Sequence, residues 1–141
     1  MSEIVLDNNS LTLVLNGSVI SDLAIGDKLV ITPVNPKTSR MNHHTHTTIQ
    51  SRGDSDVHDI TINYIKYSDS DEIINSWLNS PTPLVFAGSI KENYQKSGVA
   101  RISSYELTTA SFTTQPTNTH NDQDGNDVLS ITLQARMIRL I

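Results

Sequence analysis

Three of the five histidines of this chain lie within four residues, at His43, His44 and His46. Imidazole and carboxylate groups together can bind a transition metal, and four such side chains follow a short distance downstream: Asp54, Asp56, His58 and Asp59. We favour a solvated polar loop as the explanation of this cluster, with a metal-dependent enzyme as the alternative. A metal analysis of tag-free protein would separate the two.

A second group of carboxylates, at residues 122–127, begins like a calcium-binding loop. In such loops, acidic side chains at alternate positions surround the ion and a glycine makes the turn. The twelfth position, which needs a glutamate with both oxygens on the ion, is occupied by Leu133. We therefore interpret this segment as an ordinary Asp-Gly turn.

The sequence offers no positive sign of catalysis. It contains neither a Gly-x-Ser-x-Gly nucleophile elbow nor a glycine-rich phosphate loop. Because the chain has no cysteine, thiolate catalysis, disulfides and cysteine-ligated metal sites are excluded. We expect a protein that is not an enzyme and that needs no cofactor or metal.

The length and charge of the chain limit the classes of protein to which it can belong. The 141 residues fit a single domain, residues 1–141. A net charge of −5, from 10 basic and 15 acidic residues, argues against a surface that grips a phosphate backbone. The sequence has no apolar run of about 18 residues, so we expect no membrane anchoring.

Short alternating segments predict strands along most of the chain. Residues 11–15 lead into Asn16 and Gly17, the dipeptide that best forms a tight hairpin turn. Residues 57–67 alternate most clearly, and residues 84–90, 100–107, 111–114 and 128–136 continue the pattern. We predict about seven to nine strands, arranged as a sandwich or barrel.

Two segments depart from the strand pattern. Residues 33–52 are polar and predict a long exposed loop, as residues 115–127 do later in the chain. Residues 69–79 predict one short helix, with Asp69 as its N-cap and Glu72 completing a capping box. The apolar stripe of this helix is expected to pack on the sheet: Ile73, Ile74, Trp77 and Leu78.

The order of these parts resembles that of a small phage tail tube protein, a family whose fold is similar to the haemolysin-coregulated protein of type VI secretion. The parts in question are the opening hairpin, the long loop, the strand at 57–67, the helix, the strand pair at 85–90 and 101–107, and the final strand. The resemblance implies a β-sandwich or barrel of the tail-tube type that assembles as hexameric rings. The rings would stack into a hollow conduit for DNA.

Specific residues acquire expected roles from this resemblance. The long loop would reach the neighbouring subunit or the next ring through a set of polar and basic residues with one methionine: Lys37, Arg40, Met41, His43, His44, His46 and Arg52. Asp59, Thr61 and Asn63 would face the lumen, and the acidic balance of the chain would keep DNA from adhering there.

The resemblance also implies partners and a location. The chain would bind copies of itself and other tail proteins such as sheath, tape measure or baseplate, while DNA passes without specific binding. It would be assembled in the host cytoplasm and reside in the tail of the virion. Two alternatives stay open: a tube initiator, baseplate or head-tail connector component, and a non-viral β-sandwich that binds a ligand.

Overall fold

A computed structural model describes residues 3–6, 11–24, 26–119 and 127–140. These residues form eleven strands and one helix: β1 (Ile4–Leu6), β2 (Thr12–Leu15), β3 (Ser18–Ile20), β4 (Leu29–Pro33), β5 (Thr38–Asn42), β6 (Thr47–Ser51), β7 (Val57–Ile65), α1 (Asp69–Leu78), β8 (Phe86–Lys96), β9 (Val99–Phe112), β10 (Thr117–Thr119) and β11 (Val128–Arg139). The prediction of a mainly β fold with one short flanking helix is confirmed.

Nine of the strands form one antiparallel sheet, in the order β3-β2-β8-β9-β11-β7-β4, with β1 added to β8 and β10 to β11. The sheet curls on itself, because the segment after β3 crosses to the far edge and bonds to the end of β7. There the Ile65 amide donates to the Asp22 carbonyl and the Ala24 amide to the Asn63 carbonyl, both at 2.9 Å. The curl encloses one face of the sheet.

Alternating apolar residues fill the enclosed face. Ile60, Ile62 and Tyr64 of β7 are fully buried. They belong to a single core with side chains from the other central strands and the helix: Leu13, Leu15, Ile20, Ile74, Leu107, Ile131 and Leu133. Period-two burial along β7 and β11 is what a strand with one wet face requires.

The first predicted turn is confirmed. Asn16 and Gly17 have φ values of 51° and 79°, and they join β2 directly to β3. Positive φ at both positions gives the turn the twist of the flanking strands, and asparagine and glycine tolerate it best.

The helix spans Asp69–Leu78, close to the predicted range of 69–79, but its N-cap lies one residue earlier than predicted. Ser68, not Asp69, is the N-cap, and its hydroxyl accepts a hydrogen bond from the Asp71 amide at 3.3 Å. Ser68 caps the helix in place of Asp69 because its backbone is extended, which turns the hydroxyl toward the first helical amides. Along the stripe, Ile74 is completely buried, and the other three side chains pack partly exposed against the core: Ile73, Trp77 and Leu78.

Strands also run through polar residues that lie outside the predicted strand ranges. Residues 91–96 continue β8, and a turn at Ser97 and Gly98, with φ values of 52° and 77°, leads straight into β9. Strand β9 then runs unbroken through residues 108–110, where a bulge is marked by Thr109 at a φ of 51°. Backbone pairing holds these residues in the sheet although their side chains show little apolar alternation.

The two long segments predicted as loops, residues 33–52 and 115–127, also contain strands. Residues 36–51 of the predicted loop at 33–52 are all exposed, but β5 and β6 pair within them as a separate two-stranded sheet. Residues 117–119 form β10 on the edge of β11. The abundant threonine and serine in both segments suits exposed strand pairing better than irregular loop structure.

Gly88 marks a close approach between β8 and β2. A Cβ atom at this position would lie 2.5 Å from the carbonyl oxygen of Val14 and 3.0 Å from Cδ2 of Leu15. We expect Gly88→Ala to destabilise the protein by about 1–3 kcal/mol, because the backbone oxygen has no room to move. Urea unfolding would measure the loss. Gly53→Ala, where no atom lies within 4 Å of the added Cβ, serves as the control and should change stability little.

Tyr64 should make the protein sensitive to alkali. Burial raises the pKa of the Tyr64 phenol to about 12, and the Asp71 carboxylate adds to the effect. The unfolded chain releases the phenol proton near pH 10, whereas the folded chain holds it until about pH 12. The protonated phenol therefore costs no stability below about pH 10, and the free energy of unfolding decreases as the pH rises from about 10 toward about 12. At about pH 11 we expect wild type to have lost about 1 kcal/mol more, relative to neutral pH, than Tyr64→Phe. Urea titrations at both pH values test this, and Tyr67→Phe, at a site 80 % exposed, should behave as wild type.

Candidate functional site

The most conspicuous feature outside the core is a hairpin formed by β5, β6 and the turn between them, residues 38–51, which we call the projecting hairpin. Every residue from 36 to 51 is exposed, and neither strand pairs with the main sheet. The hairpin leaves the sheet between β4 and β7. Its base is closed by a hydrogen bond from the Arg52 amide to the Lys37 carbonyl, at 3.1 Å.

The structure places six of the seven residues predicted for intersubunit contact, all except Arg52, as exposed side chains on or beside this hairpin. Met41 and Ile49 are its large apolar side chains, each 62 % exposed. Since neither side chain is covered within the described subunit, the hairpin gains no stability from the core. Exposed apolar side chains of this kind are found at contacts between proteins.

The histidines lie at the tip of the projecting hairpin. The rings of His43 and His46 stack with centroids 4.4 Å apart, and the His43 amide donates to the His46 carbonyl at 2.8 Å. His58, on β7, instead contacts the Asp56 carbonyl through Nδ1 at 2.7 Å. Within the residues described, no three histidine or acidic side chains converge on a possible metal position. The calcium-like segment at 122–126 lies outside the described residues.

The base of the hairpin carries an ion pair. Arg52 donates from Nε and from the terminal nitrogen Nη2 to the two carboxylate oxygens of Asp54, at 3.1 Å and 3.0 Å. The Arg52 guanidinium lowers the pKa of Asp54 below its ordinary value. Because both groups are partly exposed, the pair contributes little to stability.

The residues predicted to face a lumen share the solvent side of the sheet. Asp59 accepts a hydrogen bond from Gln134 at 3.0 Å, and Thr61 contacts Thr132 across the strand pair at 3.0 Å. Asn63 donates to the Asp27 carbonyl at 2.7 Å. We call this side of β7 and its neighbours the polar face. Its cross-strand hydrogen bonds make it an ordered polar surface.

Charges of both signs lie on the polar face. The alternation of β8, β9 and β11 places Lys91, Glu106 and Arg136 on the same side as Asp59. Arg136 forms an ion pair with Asp56 at 2.7 Å. The polar face of these four strands is therefore not uniformly acidic, although the chain as a whole has a net charge of −5.

Sequence reasoning missed an apolar surface around β1. Ile4, Val5 and Leu6 form a short edge strand that pairs with the far end of β8, and all three are more than half exposed. Val99 and Ile102 of β9 are exposed nearby. The run of three apolar residues near the start of the chain was the available signal. Neighbouring exposed apolar side chains of this kind are typical of a contact between proteins.

No helix within the described part of the chain is long and apolar enough to cross a bilayer.

Comparison with known proteins identifies the fold. The chain is similar to a chain in the cryo-EM structure of an extracellular contractile injection system, the PVC sheath-tube complex in its extended state. The TM-score is 0.65 at 16 % sequence identity, and the match covers 95 % of this chain and 90 % of the other. No family model and no curated protein sequence matches the chain. The likeness therefore shows the architecture, which both chains share over nearly their whole length.

Proposed function

We propose that the chain is a structural subunit of the tube in a tail-like particle, in which copies form rings and the rings stack into a hollow conduit. The single observation that carries this proposal is the similarity of the whole chain to a chain of a sheath-tube complex. The match covers 95 % of this chain and 90 % of the other. The role proposed is accordingly structural and not catalytic.

Two surfaces support assembly. The projecting hairpin is an exposed element that the subunit's own core does not cover, so a neighbouring ring is its natural partner. The apolar residues of β1 and the nearby end of β9 offer a second contact, which would join subunits side by side. Two different surfaces are needed to build rings and also to stack them.

The polar face would line the conduit. Its partly exposed threonine, asparagine and glutamine side chains suit a water-filled lumen. We propose hexameric rings, a phage tail as the particle and DNA as the passing cargo, with sheath, tape-measure and baseplate proteins as partners. On this proposal the mature location is the virion, after assembly in the host cytoplasm.

Negative-stain electron microscopy of tag-free protein at high concentration tests the proposal directly. Rings or hollow tubes of uniform diameter are the expected result, and six-fold averages of end views would support the hexamer. Dispersed monomers at every concentration would contradict a self-assembling tube subunit. Short rings that never stack would instead favour a tube initiator or baseplate component.

A further inference from the structure

The two ends of β7 carry opposite charge. The projecting hairpin joins the start of this strand and α1 follows its end. Nine residues of extended chain separate them, or about 30 Å. We call the two regions the hairpin end and the helix end of the subunit.

The projecting hairpin is basic, and the two carboxylates that follow it, Asp54 and Asp56, form ion pairs with Arg52 and Arg136. Residues 33–53 contain no acidic residue, whereas they contain Lys37, Arg40 and Arg52 together with the three clustered histidines. Arg40 holds its guanidinium beside the hairpin by donating from Nε to the Asn42 side chain at 3.1 Å. Of these three basic residues, Arg52 is the one with an acidic partner in the described part of the chain, and that partner, Asp54, lies at the base. The tip is thus left with positive and protonatable groups alone.

The helix end is acidic. Three carboxylates occupy the first turn of α1, where Asp69 and Glu72 are exposed. Further acidic residues lie on segments bonded to the end of β7, and they bring the set at this end to six: Asp22, Asp27, Asp69, Asp71, Glu72 and Asp127. The basic residues bonded to the same region are Lys28 and Lys66. Among the described residues, the helix end therefore carries six carboxylates against two basic side chains.

We propose that the basic hairpin end of one copy docks on the acidic helix end of a second copy, and that protonation of the hairpin histidines strengthens this contact. The inference rests on the proposed function and adds the orientation and the pH response of stacking. Contact between two different surfaces of the same chain propagates in one direction and gives open stacks. The second copy is the partner indicated, because both complementary charges lie on this chain.

The pH response follows from the surroundings of the histidines. Histidine is the side chain that ordinarily changes charge between about pH 8 and about pH 5. The charged groups around His43, His44 and His46 are Arg40 on β5 and, at the base, Lys37, Arg52 and Asp54, since no other element pairs with the hairpin. Within the hairpin itself no carboxylate lies beside these rings, and the rings of His43 and His46 stack with their centroids 4.4 Å apart.

Docking would bring negatively charged groups close to the three histidines. Once the tip faces carboxylates of the next copy, the charged imidazole is favoured, so docking takes up protons. By linkage, an association that takes up protons tightens as the pH falls. The trend reverses near about pH 4, where the carboxylates themselves become neutral.

The test compares assembly at about pH 7.5 and about pH 5.5, at constant low ionic strength. Sedimentation gives the lowest protein concentration at which stacks form, and electron microscopy confirms their shape. Wild type should stack at about tenfold lower concentration at the lower pH, since each exposed charge pair contributes roughly twofold. The triple variant His43→Asn, His44→Asn, His46→Asn should stack as wild type at the higher pH and lose the response.

A second pair of variants tests the docking surface. Asp69→Asn with Glu72→Gln removes two exposed charges and keeps the Ser68 cap and the bond from the Tyr67 amide to Asp71. This variant should raise the concentration for stacking several-fold at the lower pH. The control, Glu92→Gln with Glu106→Gln, removes the same charge from strands β8 and β9 and should leave the concentration for stacking unchanged.

The outcomes separate the inference from the proposed function. The inference would be overturned if the triple histidine variant kept the pH response of stacking. It would also be overturned if the Asp69→Asn, Glu72→Gln variant stacked like the Glu92→Gln, Glu106→Gln control. Either result would leave the proposed function as a tube subunit unaffected. Absence of self-association at both pH values would contradict both.

Discussion

Excision of the projecting hairpin should abolish stacking and leave a folded subunit. Residues 38–51 can be replaced by Asn-Gly, because Lys37 and Arg52 already face each other across a 3.1 Å backbone hydrogen bond. A two-residue turn of this type joins directly paired strand residues. Since none of the removed side chains belongs to the core, we expect the unfolding temperature to stay within a few degrees of wild type.

Electron microscopy and sedimentation would measure the loss of assembly, and circular dichroism with thermal unfolding would verify the fold. Stacked tubes should disappear at every concentration at which wild type forms them, and single rings should remain. Tubes of normal length from the excised protein would show that the rings stack through another surface. An unfolded variant would contradict the independence of the hairpin from the core.

Replacement of the only tryptophan should cause the largest loss of stability among the changes considered. The Trp77 ring lies 5.8 Å from that of Phe86 and 6.4 Å from that of Phe112, so three aromatic side chains close one end of the curled sheet. Trp77→Ala removes the member contributed by the helix. We expect a loss of about 3 kcal/mol, toward the lower limit for large aromatic residues because the ring is partly exposed.

Urea unfolding followed by far-UV circular dichroism would measure this loss, since the variant has no tryptophan fluorescence. Asn75→Ala, on the exposed side of the same helix, is the matched control and should stay within about 0.5 kcal/mol of wild type. If Trp77 instead serves a partner-binding face, its loss would cost under about 1 kcal/mol and would impair assembly.

The sequence was informative wherever burial and local geometry agree. Ile60, Ile62 and Tyr64 alternate because one side of β7 is the core, and the turn at Asn16 and Gly17 needs residues that accept positive φ. The apolar stripe of the helix was visible for the same reason. These features depend on which side-chain types occur at a fixed spacing, and that spacing can be read directly from the sequence.

The missed strands have a different cause. Both faces are exposed in β5, in β6 and in the far halves of β8 and β9. Backbone pairing alone holds these strands, so their sequences show no alternation of apolar and polar residues that would predict a strand. The N-cap was displaced by one residue because Ser68 and Asp69 can both cap a helix, and only the backbone decides which does. The separation of charge between the two ends also required the topology, since its members lie far apart in the sequence.

The projecting hairpin has a kinetic consequence. A two-stranded ribbon with no apolar support is marginally stable in water, so its strands must be ordered again whenever two free subunits meet. That cost falls on the first encounter, whereas a subunit joining an existing ring meets several docking surfaces at once. Growth should therefore be fast and spontaneous initiation slow. A particle built this way can set when and where its tubes begin by supplying one preformed ring as a template.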